Sequence, residues 1–196
     1  MSHRFPRPPF SLTHDLASSF ALSGHPVYLA KSQSARFSLG IMHIRPGNPG
    51  DANAIASLIA SFQPILTLEP SGAGAEQYLA SVSEDAERQY LESPRYAYLV
   101  AELKGQMVGF VAMRDQTHLF HLFVAAAHQR IGIARALWEQ ARQISLRAGP
   151  VAEFTVNSSL NAVSVYRSFG FVPNGAIMQE HGIAFLPMRL TLQNDV

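Results

Sequence analysis

The sequence contains no cysteine among its 196 residues. Disulfides, thiolate nucleophiles and cysteine-bound zinc are therefore excluded, and a reducing compartment, the cytoplasm, is expected. An excess of charge of one sign is also absent, because 15 basic side chains are balanced by 14 acidic ones. A dedicated nucleic-acid-binding protein carries a broad basic field, so nucleic acid is not an expected partner.

Long apolar runs are absent as well. The longest one near the centre, Leu122 to Ala127, is far shorter than the ~18 residues that a membrane span needs, so no membrane association is predicted. Residues 1–40 mix Pro, Ser and His without helical or strand periodicity and predict a flexible N-terminal extension. Their acid-poor composition also fits an organelle transit peptide. Met42 opens a segment typical of a domain start, so residues 41–196 are expected to form one domain.

From residue 41 onward, strand patterns alternate with helix patterns, which predicts a mixed α/β fold. Three strand patterns joined by tight turns, Tyr96 to Leu103, Met107 to Arg114 and His118 to Val124, predict an antiparallel meander. Further strands are predicted at 41–45, at 151–157, around Phe171 and at 185–191. Helices are predicted after a cap at Asp51 or Asn53, over about 74–92, within 128–143, and over 161–169 with Gly170 as a left-handed stop.

The stretch HQRIGIARALWEQARQ, residues 128–143, predicts a loop that leads directly into a helix. The first amides of a helix have no partner within the helix, and its dipole adds about half a positive charge there, so this start favours an anion such as phosphate. Gly132 and Ala134 are small enough to let a pyrophosphate approach the amides. The residues of a P-loop and of the dinucleotide fingerprint are missing. A plain helix start entered through a glycine remains the alternative.

One strand later comes a second motif, NAVSVYRSFGF, at residues 161–171. The order of elements over 41–191, and the motifs from His121 to Phe171, resemble the GNAT superfamily of N-acetyltransferases, which use acetyl coenzyme A. Gln129, Gly132 and Ala134 fit the Gln/Arg-x-x-Gly-x-Gly/Ala loop of that family. Ala126 stands where the family often has proline, and Ala134 where it often has a second glycine. The resemblance implies an α+β fold with a mixed, mostly antiparallel central sheet flanked by helices.

The resemblance also implies which residues bind acetyl coenzyme A. Phe123 and Val124 would offer backbone groups to the pantetheine arm, and Asn161 would contact that arm or position the thioester. The pyrophosphate would be held by the loop that contains Gln129 and by the amides that follow it, which belong to Arg130, Ile131, Gly132, Ile133, Ala134 and Arg135.

Tyr166 matches the general acid of the family. A departing thiolate has a reference pKa near ~8.5 and a phenol one near ~10, so a phenolic proton can be shared with the sulfur and regained. Tyr166 also fits a core aromatic on an apolar helix face. For the general base, the resemblance places His118 where some members have a glutamate, and His121 is a second candidate. Strand alternation sends these histidines to opposite faces, so they are not expected to share a metal ion, and no metal site is predicted.

The function implied is direct transfer of an acetyl group from acetyl coenzyme A to a primary amine of a small molecule, without a covalent enzyme intermediate. Two alternatives stay open: an acyl-coenzyme A-binding regulatory module without turnover, and acetylation of protein or peptide N-termini. The last hairpin of such domains often contributes to dimers, so a homodimer is a further expectation. The sequence does not identify the acceptor or the length of the acyl group.

Overall fold

A computed structural model of the protein describes residues 42–192; the predicted extension, residues 1–40, lies outside this range. The strands are β1 (Met42–Pro46), β2 (Tyr96–Leu103), β3 (Gln106–Arg114), β4 (His118–Val124), β5 (Glu153–Ser159), β6 (Val172–Pro173), β7 (Met178–Glu180) and β8 (Ile183–Thr191). The α-helices are α1 (Ala52–Ala60), α2 (Gln63–Leu66), α3 (Glu76–Ser81), α4 (Glu84–Glu92), α5 (Ile133–Ala148) and α6 (Val163–Ser168). Short 3-10 turns lie at Pro49–Asp51, Ala126–His128 and Leu160–Ala162.

The eight described strands form one sheet in the order β1-β2-β3-β4-β5-β8-β6, with β7 also paired to β8. All neighbours are antiparallel except β4 and β5. The predicted meander is confirmed as β2, β3 and β4, because tight turns after Leu103 and Arg114 join antiparallel strands that are mostly apolar and pack on both faces. The expected mixed, mostly antiparallel sheet flanked by helices is therefore present.

Each face of the sheet carries its own apolar core. One core, here the α5-side core, packs α5 and α6 against the sheet through residues such as Leu137, Trp138 and Phe154. The other, here the α1-side core, packs α1 and α4 against the opposite face through Ile55, Ile59 and partners on β2 and β3. Each of these helices buries an apolar stripe against the sheet, and because helices cover both faces, the sheet lies between two helical layers.

The parallel pair, β4 and β5, is short. His118 pairs with Thr155 and Leu119 with Val156, and no pairing is found beyond these two positions. The two strands therefore separate over Phe120–Val124 and Asn157–Ser159, which leaves a cleft between the halves of the sheet. The backbone edges that face this cleft are free to bind a ligand.

Several predicted boundaries differ from the structure. The helix predicted over 74–92 is two helices, because the chain breaks after Ser81 and the Ser83 hydroxyl caps α4 by accepting from the amide of Ala86. Asp51 stands at the N-cap position of α1, as one of the two predictions has it, but its side chain makes no cap hydrogen bond to that helix. Its carboxylate accepts from the amide of Asn48 in the preceding turn, which Asn48 caps, and it also binds Arg45. Strand β5 is shifted two residues along the chain, and β7 is an additional strand.

Two hairpins turn on matched dipeptides, which allows a controlled test of packing at the last hairpin. In the first hairpin, φ is 52° at Lys104 and 74° at Gly105. In the last hairpin, φ is 49° at His181 and 72° at Gly182. A Cβ at position 105 meets nothing, whereas one at position 182 would overlap the carbonyl oxygen of Gly74.

We expect Gly105→Ala to lower the free energy of unfolding by ~1–2 kcal/mol, the cost of a left-handed L-residue. Gly182→Ala should lose ~1–3 kcal/mol more, because the overlap forces the segment before α3 away from the hairpin. Equilibrium urea unfolding of both variants measures the difference. Equal losses would show that the hairpin does not press on Gly74.

Candidate active site

The start of α5 presents a row of backbone amides without protein acceptors. Among the described residues, the six amides of residues 130–135 donate no hydrogen bond to another group, and the first helical bond is donated by Ala136 to Gly132. Arg130 and Gly132 have left-handed φ values of 63° and 97°, and left-handed residues of this kind occur in the backbone nests that bind anions. This row lies after the end of β4, at the mouth of the cleft. Its chemistry fits a pyrophosphate.

The side chains of Gln129 and Asn161 each donate a hydrogen bond to a backbone carbonyl oxygen. The Gln129 side chain donates to the carbonyl oxygen of Val124 at 3.0 Å and so fastens the loop to the end of β4. Asn161 donates through Nδ2 to the carbonyl oxygen of Ile65 at 3.0 Å, which ties the segment after β5 to α2. Phe123 and Val124 lie on the part of β4 that β5 does not pair. All four predicted residues therefore border the cleft or its mouth.

Tyr166 lies on α6 with its ring in the α5-side core, edge-on to Phe169 and Phe171 at centroid distances of 6.2 and 5.8 Å. Only 6% of the residue is exposed. Within residues 42–192 its hydroxyl makes no hydrogen bond to a protein group. Burial raises the pKa of Tyr166, so the phenol stays protonated at neutral pH. Gly170 has φ 94° and ends this helix, as the sequence predicts.

The two histidines of β4 lie on one face of the sheet, so the prediction of opposite faces is wrong. Neighbouring residues of β3 pair with Leu119 and His121, which leaves Phe120 between them as an extra residue, a β-bulge. Leu119 packs in the α5-side core, and Phe120 packs in the α1-side core. The rings of Phe120 and His121 are 4.0 Å apart. Because the bulge adds one residue between His118 and His121, the side chains of the two histidines lie on the same face of the sheet.

His118 has a partner on the neighbouring strand. Its Nδ1 lies 2.9 Å from Oγ1 of Thr155, within the paired part of β4 and β5. Burial and the nearby Arg114 lower the pKa of His118 to about 4, so its imidazole is neutral at pH 7. A neutral imidazole can accept a proton, although one with so low a pKa is a weak base.

Glu87 is a buried carboxylate that the sequence interpretation missed. The residue is 0% exposed; the hydroxyl of Tyr98 donates to its Oε2 at 2.7 Å, and His121 Nε2 lies 3.1 Å from its Oε1. The helix sequence EDAERQYLE is polar, which hides the one acid that points inward. The spacing of apolar residues could have indicated that Glu87 points inward, because Tyr90 and Leu91 follow it by three and four residues and therefore lie on the same helix face.

A separate cavity of about 350 Å³ opens on the α1 side of the molecule, between α1, α2, α3 and the start of α4. Its walls include Ala56, Ala60, Tyr78 and Leu79 but none of the residues predicted to bind coenzyme A or to catalyse. The predicted site is the open cleft beside β4 instead. In the described part of the chain, no three His, Asp or Glu side chains cluster as a metal site would require. No helix within it is long and apolar enough to cross a membrane.

Curated relatives match part of the chain. Rat (Rattus norvegicus) N-acetyltransferase family 8 member 3 is 37% identical over 108 residues, which is 50% of this chain and 47% of the relative. Human (Homo sapiens) N-acetyltransferase 8 is 32% identical over 108 residues, 50% of this chain and 48% of the relative. The chain thus spans about half the length of these curated relatives.

Solved structures share the fold. A GCN5-related N-acetyltransferase from Rhodopseudomonas palustris superimposes with a TM-score of 0.65 at 21% identity, covering 81% of this chain and 100% of that one. The PaiA N-acetyltransferase from Thermoplasma acidophilum, solved with coenzyme A, gives a TM-score of 0.62 at 15% identity, covering 77% and 99%. The family model of the acetyltransferase (GNAT) domain matches residues 66–192, more than half of the chain. The protein therefore belongs to the GNAT family of acetyltransferases.

Proposed function

We propose that the protein transfers an acetyl group from acetyl coenzyme A to a primary amine of a small molecule. The observation that carries this proposal is the row of unpartnered amides at residues 130–135, placed at the mouth of the β4–β5 cleft. A pyrophosphate satisfies these donors, and a pantetheine arm can pair with the free edge of β4. Acetyl coenzyme A supplies the thioester whose carbonyl carbon the amine attacks.

Tyr166 is proposed as the general acid. Its hydroxyl has no protein partner among the described residues, and its raised pKa keeps the phenol protonated at neutral pH. The sulfur that leaves the thioester shares this proton as the C–S bond breaks, and the phenolate, which is the stronger base, then regains a proton from the reacting nitrogen. A phenol used only for packing would not need the hydroxyl, which makes the role testable by Tyr166→Phe.

A base is required because an alkyl ammonium with pKa near ~10.4 is deprotonated in only about one molecule in ~2500 at pH 7. His118 is the base that the family resemblance suggests. Its neutral imidazole supports that role, whereas its contact with Thr155 and its low pKa limit its strength as a base. His121, on the same face of β4, is the other candidate.

A small acceptor is favoured over a polypeptide by the segment that precedes α3. Thr67 bridges to Ile183 at the start of β8, and the amide of Leu68 donates to the carbonyl oxygen of Gly182 at 2.8 Å. These contacts join the segment to the last hairpin, so these two parts of the chain do not leave an open groove between them. A polypeptide would need an open groove there. The cytoplasmic location and the homodimer stay predictions.

The row of amides at residues 130–135, here called the coenzyme cradle, can be tested with one substitution at each end of α5. Ala134→Glu places a carboxylate among the free amides and should weaken acetyl coenzyme A binding at least ~10-fold, because like charges repel at short range. Ala148→Glu adds the same side chain at the exposed far end and should leave the affinity unchanged. Calorimetric titration gives both affinities, with melting temperatures as a folding control. Equal affinities for the two variants, or no binding to the wild type, would contradict the cradle.

Tyr166→Phe should lower the release of coenzyme A thiol by ~10²- to 10⁴-fold, the contribution usual for a general acid. Acetyl coenzyme A affinity should stay the same because the ring is retained. Thiol release is measured with benzylamine, spermidine, lysine and a short peptide as acceptors. Ser164→Ala removes an exposed hydroxyl from the same helix and is the matched control.

Each of these assays can reject the proposal. Unchanged release in Tyr166→Phe would remove the acid from the mechanism. Binding without release from any acceptor would favour the regulatory module, and release with the peptide alone would favour peptide acetylation.

A further inference from the structure

Glu87 has few polar partners for a fully buried carboxylate. Among residues 42–192, its polar contacts are the Tyr98 hydroxyl and the His121 ring, and no Lys or Arg lies within ion-pair distance. Taking a carboxylate out of water is costly, so a structure that keeps one must offset the cost through these two partners. Tyr98 donates to one carboxylate oxygen, and His121 occupies the other.

The contact sets the tautomer of His121. A carboxylate oxygen only accepts hydrogen bonds, so the ring nitrogen 3.1 Å from Oε1, Nε2, must carry the hydrogen. In a neutral imidazole this leaves a lone pair on Nδ1. No described residue donates to or accepts from Nδ1. His121 is therefore held with one nitrogen bound to the carboxylate and the other able to take up a proton.

The position of His121 suits a reaction in the cleft. The last pair between β4 and β5 is Leu119 with Val156, so His121 lies two residues into the separated part of β4. His118 lies within the paired part, and its Nδ1 is engaged by Thr155. Each histidine thus keeps one ring nitrogen without a protein partner among the described residues, and the one on His121 belongs to the residue that lies in the separated part of β4.

We propose that His121 Nδ1 accepts the proton of the acceptor amine and that Glu87 is the positioning residue that holds this imidazole and stabilises its charged form. This inference rests on the proposed acetyl transfer. The ammonium nitrogen gives one proton to Nδ1, and its freed electron pair forms the C–N bond. The C–S bond breaks, the sulfur leaves with the electron pair and takes the Tyr166 proton, and a second nitrogen proton restores the phenol. His121 then releases its proton to solvent.

Other groups on this face do not compete near neutral pH. The titratable and charged side chains around His121 and Glu87 are Tyr78 on α3, Tyr90 on α4, Tyr96 and Tyr98 on β2, Arg114 on β3 and His118 on β4. Burial raises the pKa of Tyr78 to about 12 and that of Tyr98 above its ordinary value, so both stay neutral. His118 is deprotonated above about pH 4.

The kinetic test compares Glu87→Gln, His121→Gln and His118→Gln in the full chain. The amine with the highest kcat/KM from the acceptor panel is used. His121→Gln should lower kcat/KM by ~10²- to 10⁴-fold, as for loss of a general base. Glu87→Gln keeps the shape but removes the negative charge, and should lower kcat ~10- to 100-fold with the KM for acetyl coenzyme A unchanged.

A matched control on the same helix separates a positioning role from a general loss of structure. Glu84→Gln, which removes a carboxylate that is not buried, should leave kcat and the KM for acetyl coenzyme A unchanged.

A second readout needs no substrate. Nitrogen-15 NMR of the histidine rings in the free protein should show His121 with hydrogen on Nε2 in the wild type, and a changed Nε2 signal in Glu87→Gln. The His118 signals should not change between the two proteins. An Nδ1-protonated His121 in the wild type would overturn the proposed contact.

The outcomes distinguish this inference from the proposed function. Full activity in His121→Gln while wild-type and His118→Gln activities differ would make His118 the base and overturn the inference alone. An unchanged kcat in Glu87→Gln would also overturn it. No thiol release by the wild type with any acceptor would overturn the proposed function, and the base role with it.

Discussion

Two residue pairs, His118 with Thr155 and Leu119 with Val156, join the two halves of the sheet as its parallel junction. The location of every proposed functional group depends on how short this junction is. A longer pairing would close the cleft and satisfy the edge of β4 with β5. Because the strands separate after two pairs, the edge of β4 stays open, the amides that begin α5 lie at the mouth of the gap, and His121 lies near its closed end.

Much of this arrangement could be predicted because local spacing determines it. Strands β2 and β4 begin and end where their apolar segments and the flanking turn residues indicate, and the loop before α5 is fixed by its small residues and by a glycine with positive φ. The stop at Gly170 follows from the same conformational freedom. These features depend on residues within a few positions of each other, so one sequence is enough to read them.

The features that escaped prediction depend on contacts far apart in the chain. Glu87 meets a tyrosine 11 residues away and a histidine 34 residues away, and nothing in its own helix distinguishes a buried acid from a solvated one except the position of two apolar neighbours. The bulge at Phe120 arises from how β3 pairs with β4, so alternation alone placed the two histidines on opposite faces. Pairing register decides both cases, and it is a tertiary property.

The separated strands leave two unpaired edges inside the sheet itself, in addition to those at its outer margins. Unpaired edges are the surfaces at which proteins accept an extra strand, from a ligand or from another chain. A molecule that occupies this gap and binds the folded state alone raises the free energy of unfolding, by an amount that grows with the logarithm of its concentration. The fold is therefore least protected against strand addition when the gap is empty, and any ligand that fills the gap both stabilises the folded state and covers these edges.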